Sequence, residues 1–235
     1  MQHKLLSTYR YLFLTLLCFL ASEAAFAASG KEIWSKRCAQ CHDLNAAGPT
    51  SLNELFSQNG PNLSFAGLKY KKSWLEKWLQ SPTRIRPAGM FYGNHIKPGK
   101  DQDQVVQSTL VKHEPLNKED AVAVTKTLMS YQAKKDIFES GAYKPGSISI
   151  SMGDLLFDKF RGCLSCHRIE RDYGGLSGPE VYTVVERLQE DYIVNFLRNP
   201  QAWSPKNFMP QYNLKESDVQ KFVHYFRALA QENKK

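Results

Sequence analysis

The sequence has few residues that cross-link a chain or bind a metal: 5 cysteines, 5 methionines and 6 histidines among 235 residues. It also has no long hydrophobic run. The one apolar stretch, residues 11–21, follows Lys4 and Arg10, is closed by Ser22 and Glu23, and leads to Ala25-Phe26-Ala27, a small-x-small cleavage pattern. This predicts a signal peptide over residues 1–27, export to the periplasm and no membrane span after cleavage; a run this short makes an uncleaved anchor the lesser reading. Cys18 leaves with the leader, and Leu17 before it is not the small residue of a lipoprotein signal. Acidic side chains are the scarcer charge, 23 against 31 Lys and Arg, for a net charge of +8. Such a surface suits fast docking with acidic partners. Export argues against nucleic acid as a partner, and a hydrophobic content of 42% argues against disorder.

The four remaining cysteines all lie in two copies of one pattern, Cys38-Ala39-Gln40-Cys41-His42 and Cys163-Leu164-Ser165-Cys166-His167. No disulfide framework is left to make, although an exported protein is free to have one. C-x-x-C-H is the attachment signature of c-type haem. Two sulfurs on one helical turn can add to the two vinyl groups on one porphyrin edge, and the next residue, His42 or His167, reaches the iron. A redox dithiol or a four-cysteine zinc site would use the same cysteines. Neither needs the adjacent histidine, and neither explains the repeats that follow.

Each motif is preceded by an apolar helical pattern, residues 30–37 and 153–160. The segment 73–82 aligns without gaps to 191–200: each has a capping residue, Ser73 or Asp191, aromatics four apart and a terminating proline, and Ser73 with Glu76 fits a capping box. Gly60-Pro61 and Gly178-Pro179 stand at the same distance before these helices, with Gly48-Pro49 a competing turn in the first copy. The closing helices share a stripe, Ala121, Val124, Thr125 and Leu128 against Val219, Phe222, Val223 and Phe226. A repeat of this size predicts an all-α fold of two tandem domains, 28–140 and 151–235, with a linker over 141–150 rich in Gly, Pro and Ser. Pro82 to Leu116 spans 34 residues and Pro200 to Leu214 only 14, so the first copy carries about 20 extra residues near 91–115. These could cover a site edge, form a partner surface or meet the second copy, or be a spacer of no consequence.

With two attachment motifs and these ordered landmarks, the chain resembles a dihaem class I cytochrome c. The resemblance implies that each domain is a small helical bundle around one covalently bound haem c, attached through Cys38 and Cys41 or through Cys163 and Cys166. It implies that the carbonyls of Pro61 and Pro179 accept hydrogen bonds from His42 and His167. It also implies axial thioethers, Met90 eight residues after Pro82 and Met209 nine after Pro200. His95 and His113, in the insertion, are the rivals to Met90. The function implied is electron transfer between redox proteins through two His/Met-ligated haems. Two alternatives stay open: a dihaem oxidoreductase of peroxidase or thiosulfate dehydrogenase type, with an open or switchable first iron, and the electron-transfer subunit of a larger dehydrogenase or reductase.

Overall fold

A computed structural model describes residues 29–100 and 102–233. The leader, its cleavage site and Cys18 lie outside the described residues. The fold is all-α apart from one small ribbon, and no helix among the described residues is long and apolar enough to cross a membrane.

Both halves begin alike. Helix α1 (Gly30–Ile33) is capped by the Ser29 hydroxyl, which accepts from Glu32 N, and it runs without a break into a π-helical turn, Trp34–Cys38. After α2 (Leu52–Ser57) and α3 (Ala66–Lys69) comes α4 (Lys72–Gln80), and α5 (Lys118–Met129) closes the half. In the second half α6 (Ile150–Asp154), capped by Ser149, leads into the π-helical turn Leu155–Phe160. Then follow α7 (Val184–Arg187), α8 (Glu190–Arg198), α9 (Pro200–Trp203) and the long α10 (Glu216–Glu232). The predicted stripes on α5 and α10 are buried throughout, against α1 and α6 respectively. At both crossings a glycine permits close approach: a β-carbon on Gly30 would strike Ala123 and Thr127, and one on Gly153 would strike the Tyr225 ring.

Helices α4 and α8 start two residues earlier than the capping pattern predicts. Lys71 and Gln189 are the cap residues, neither makes a side-chain cap bond, and Ser73 lies inside the helix, so the predicted capping box does not form. The reason is contact between the halves. Tyr70 and Leu188, 118 positions apart and equivalent in the repeat, form an isolated antiparallel bridge. Lys71 N donates to Arg187 O, and Gln189 N donates reciprocally to Lys69 O, both at 2.9 Å. The pairing has approximate two-fold symmetry, and it fixes the residues that lead into both helices. Gln189 Nε2 adds bonds to the carbonyls of Gly67 (2.9 Å) and Tyr70 (3.1 Å).

Around this seam Phe65 stacks on Tyr192 and meets Trp203 edge-on. The buried apolar residues of both halves form one connected cluster. Lys71 binds Val185 O (2.8 Å) and Glu190 (2.9 Å) across the seam. The segment joining the halves is strapped to the second. Glu139 and Asn195 exchange two bonds, Asp191 accepts from Gly141 N and Tyr143 N, and Gln220 accepts from Lys144 N.

The extra residues of the first half fold into β1 (Ile96–Lys97) and β2 (Gln104–Val105), an antiparallel ribbon with Ile96 opposite Val105. One of the roles expected for them, contact with the second half, is seen at Val105. Arg84, Ile85 and Val105 face Arg168, Glu180 and Tyr182 across a cleft of about 180 Å³.

Candidate functional site

Two sites share one construction. The π-helical turn widens the helix just before the cysteines, a local distortion that recurs at functional positions in helices. In the first site the helix continues to Cys38. In the second it breaks at Gly162, whose φ is +65°, and Cys163–Ser165 form a 3₁₀ turn. All four cysteines are free thiols, three half-buried and Cys166 exposed. Burial pushes the Cys163 thiol up to about 11, so that sulfur rests as the neutral thiol.

The imidazoles are held in matching ways. His42 Nδ1 lies 2.9 Å from Pro61 O, and His167 Nδ1 lies 2.7 Å from Pro179 O. The competing Gly48-Pro49 turn does not take this bond. A carbonyl can only accept, so Nδ1 of each ring carries the proton and Nε2 is the basic nitrogen. Among the described residues Nε2 of neither ring has a hydrogen-bond partner. A glycine lies beneath each ring: a β-carbon on Gly60 would come within 2.5 Å of His42, and one on Gly178 within 2.7 Å of His167. Burial lowers the proton affinity of both imidazoles, and the proline bonds oppose that shift.

This donor set fits a covalent c-type haem. Each site offers two free thiols three residues apart, a neutral imidazole with Nδ1 anchored and Nε2 free, and a glycine-lined approach. Aromatic rings flank the imidazoles, Trp34 at 6.2 Å from His42 and Phe157 at 6.3 Å from His167.

The two methionine loops both lean on the opposite half. The loop of Met90 is tied there by Ala88 N to Leu176 O (3.3 Å) and by Arg86 to Ser177 O (3.4 Å). The loop of Met209 is braced by Gln201 Nε2 to Met209 O (2.7 Å) and by Met209 N to Asn207 Oδ1 (2.9 Å). Their neighbours Phe91 and Phe208 both pack on Phe56. Both methionines are half-buried.

Two groups carry no sequence signal of their own. Arg86 of the first half acts electrostatically on His167, as does Arg187, which is paired with Glu180 in a buried ion pair at 3.2 Å. Arg37, beside Cys38, bonds Pro115 O and pairs with Glu114 at 2.7 Å. Of the two rivals to Met90, His113 is the one that lies at the first site. Its ring centroid lies 6.3 Å from that of His42 and 4.7 Å from that of Trp78. The rival His95 is engaged elsewhere, with Nδ1 2.8 Å from the Thr109 hydroxyl.

Residues 27–131 match the Cytochrome c family, a span that contains the first C-x-x-C-H motif and ends before the second. The match supports a place in the cytochrome c family, and with it covalently bound haem and an electron-transfer role. No solved structure matches the chain.

Proposed function

We propose that the protein is a periplasmic dihaem c-type cytochrome of two tandem domains, 28–140 and 151–235, which carries electrons between redox proteins. One observation carries the proposal: the thiol pair, the proline-anchored imidazole and the glycine beneath it occur at Cys38, Cys41, His42, Pro61 and Gly60, and again at Cys163, Cys166, His167, Pro179 and Gly178.

A haem c bound in each place supplies one-electron redox chemistry. The chain's residues do the rest. The cysteines would anchor the group by thioether bonds. The proline carbonyls hold each imidazole in one orientation and make Nε2 a stronger donor to iron. Met209 is proposed as the sixth ligand of the second site; a thioether is soft and raises the reduction potential. Trp34, Phe157 and the shared core exclude water from the imidazole side. So loaded, each site would take one electron from a donor and return one to an acceptor, and the excess of basic side chains favours partners with acidic docking surfaces.

The test is production of the full chain in a host competent in cytochrome maturation. Intact mass is expected to show a processed protein carrying two haems, and a redox titration is expected to resolve two one-electron steps. A single haem, with Cys163 and Cys166 unmodified, would overturn the dihaem assignment.

A further inference from the structure

We infer that His113, not Met90, is the sixth ligand at the first site, so that this iron is held between two imidazoles while the second is held by His167 and Met209. The inference rests on the proposal that haem is attached at Cys38 and Cys41.

The first observation is the pair of rings. His42 and His113 have centroids 6.3 Å apart, and their planes are inclined by 49°. Two metal–imidazole bonds of about 2 Å, plus half a ring on either side, come to about 6 Å. Each ring also has its other nitrogen committed. Nδ1 of His42 faces Pro61 O, and Nδ1 of His113 lies 3.0 Å from Glu114 O. Each ring is thereby fixed in the tautomer that leaves Nε2 basic.

The second observation is that the segment around His113 is pinned over the attachment helix. Arg37, adjacent to Cys38, donates to Pro115 O at 3.2 Å and pairs with Glu114 at 2.7 Å. Arg84 donates to Val111 O at 3.1 Å, and Leu116 N donates to Leu79 O at 2.8 Å. Residues on both sides of His113 are therefore tied down, and the Trp78 edge lies against its ring.

The third observation is the repeat itself. In register with the closing helices, His113 corresponds to Gln211, two residues after Met209. The segment that leads into the last helix thus carries a ligand-forming side chain in both halves, an imidazole in one and a thioether in the other. The insertion accounts for the change. It places 91–115 between Met90 and α5, and the Met90 loop is bonded instead to Leu176 and Ser177 of the second half.

The experiment uses the full-length, haem-loaded protein and its Met90→Ala and His113→Ala variants, read by the low-temperature magnetic resonance of the oxidised iron and by redox titration. For the unaltered protein we expect one bis-imidazole signal and one imidazole-thioether signal. Met90→Ala is expected to leave both signals and both potentials unchanged. His113→Ala is expected to lose the bis-imidazole signal alone, convert that site to one that binds added imidazole, and regain the signal when imidazole is supplied. Two imidazole-thioether signals in the unaltered protein, or loss of one on Met90→Ala, would overturn the inference even if His113→Ala does not fold. A protein without haem at Cys38 and Cys41 by peptide mass overturns the underlying proposal as well, and that result is distinct from a haem whose signal responds to Met90.

Discussion

Gly178 lies so close beneath His167 that a β-carbon on it would fall 2.7 Å from both Nδ1 and Cε1 of the ring. The glycine and the Pro179 carbonyl therefore act together, one leaving space for the imidazole and the other fixing its rotation. Gly178→Ala is expected to push the ring off the 2.7 Å bond and to destabilise the protein by about 1–3 kcal/mol, as overpacking does. Gly93→Ala is the control, because a β-carbon there meets nothing within 4 Å. Thermal unfolding and the yield of haem at Cys163 and Cys166 are the measurements. Equal behaviour of the two variants would mean that the close approach imposes no constraint.

The reciprocal bonds at Tyr70 and Leu188, with the cluster that spans both halves, make the halves one cooperative unit. Unfolding in urea is expected to give a single transition whether followed by a probe in the N-terminal or in the C-terminal half. Phe65→Ala removes the ring between Tyr192 and Trp203 and is expected to cost about 3–5 kcal/mol and to separate the two signals. Gln189→Ala, which strips the Gly67 and Tyr70 carbonyls of their partner, is expected to cost about 1–3 kcal/mol without separating them. Two transitions in the unaltered protein would contradict this coupling.

Much of this is legible in the sequence because it is local. The two motifs, the helices that lead into them, the stripes on α5 and α10 and the glycine-proline turns each depend on spacing within one segment. What escapes is what the second half does to the first. Ser73 has the character of a cap, but the helix begins at Lys72, directly after the residue whose N–H is bonded to Arg187 O across the seam. Lys71 has the character of a surface charge, but it is bonded across the seam. The approach of His113 to His42 brings together residues separated by 70 intervening positions and an insertion, a distance over which no periodicity carries information.

Arg86 extends the same coupling to redox chemistry. No carboxylate pairs with it among the described residues, and its charge and that of Arg187 disfavour added positive charge at His167. A cation close to an iron site favours the reduced, less positive state. With haem bound at both sites as proposed, Arg86→Gln is therefore expected to lower the potential of the second site by about 59 mV, a tenfold shift for a one-electron couple, and to leave the first nearly unchanged. A redox titration of the variant, with the two sites distinguished by the axial ligands proposed for them, checks this. An equal shift at both sites would show that Arg86 acts through general fold stability instead.

Glu216, in the first turn of α10, is bound by Arg198 through two nitrogens, each at 3.0 Å, and Arg198 also holds Glu139 of the strap. The hydrogen bonds from Arg198 keep the Glu216 carboxyl below its ordinary value of 4.5, against a smaller opposing effect of burial. The folded state thus binds this proton less readily than the unfolded state does. The stabilisation is complete above about pH 4.5 and is lost as the pH falls through the lower folded value. The side chains are 31% and 54% exposed, so solvent screens the pair and its contribution stays within about 0–1 kcal/mol. Arg198→Ala is expected to reduce stability at pH 6, to match the unaltered protein at pH values where Glu216 is protonated in both states, and to respond less to added salt. Urea midpoints from pH 3 to pH 6 are the measurement. Parallel curves for the two proteins across that range would rule out a contribution from this ion pair.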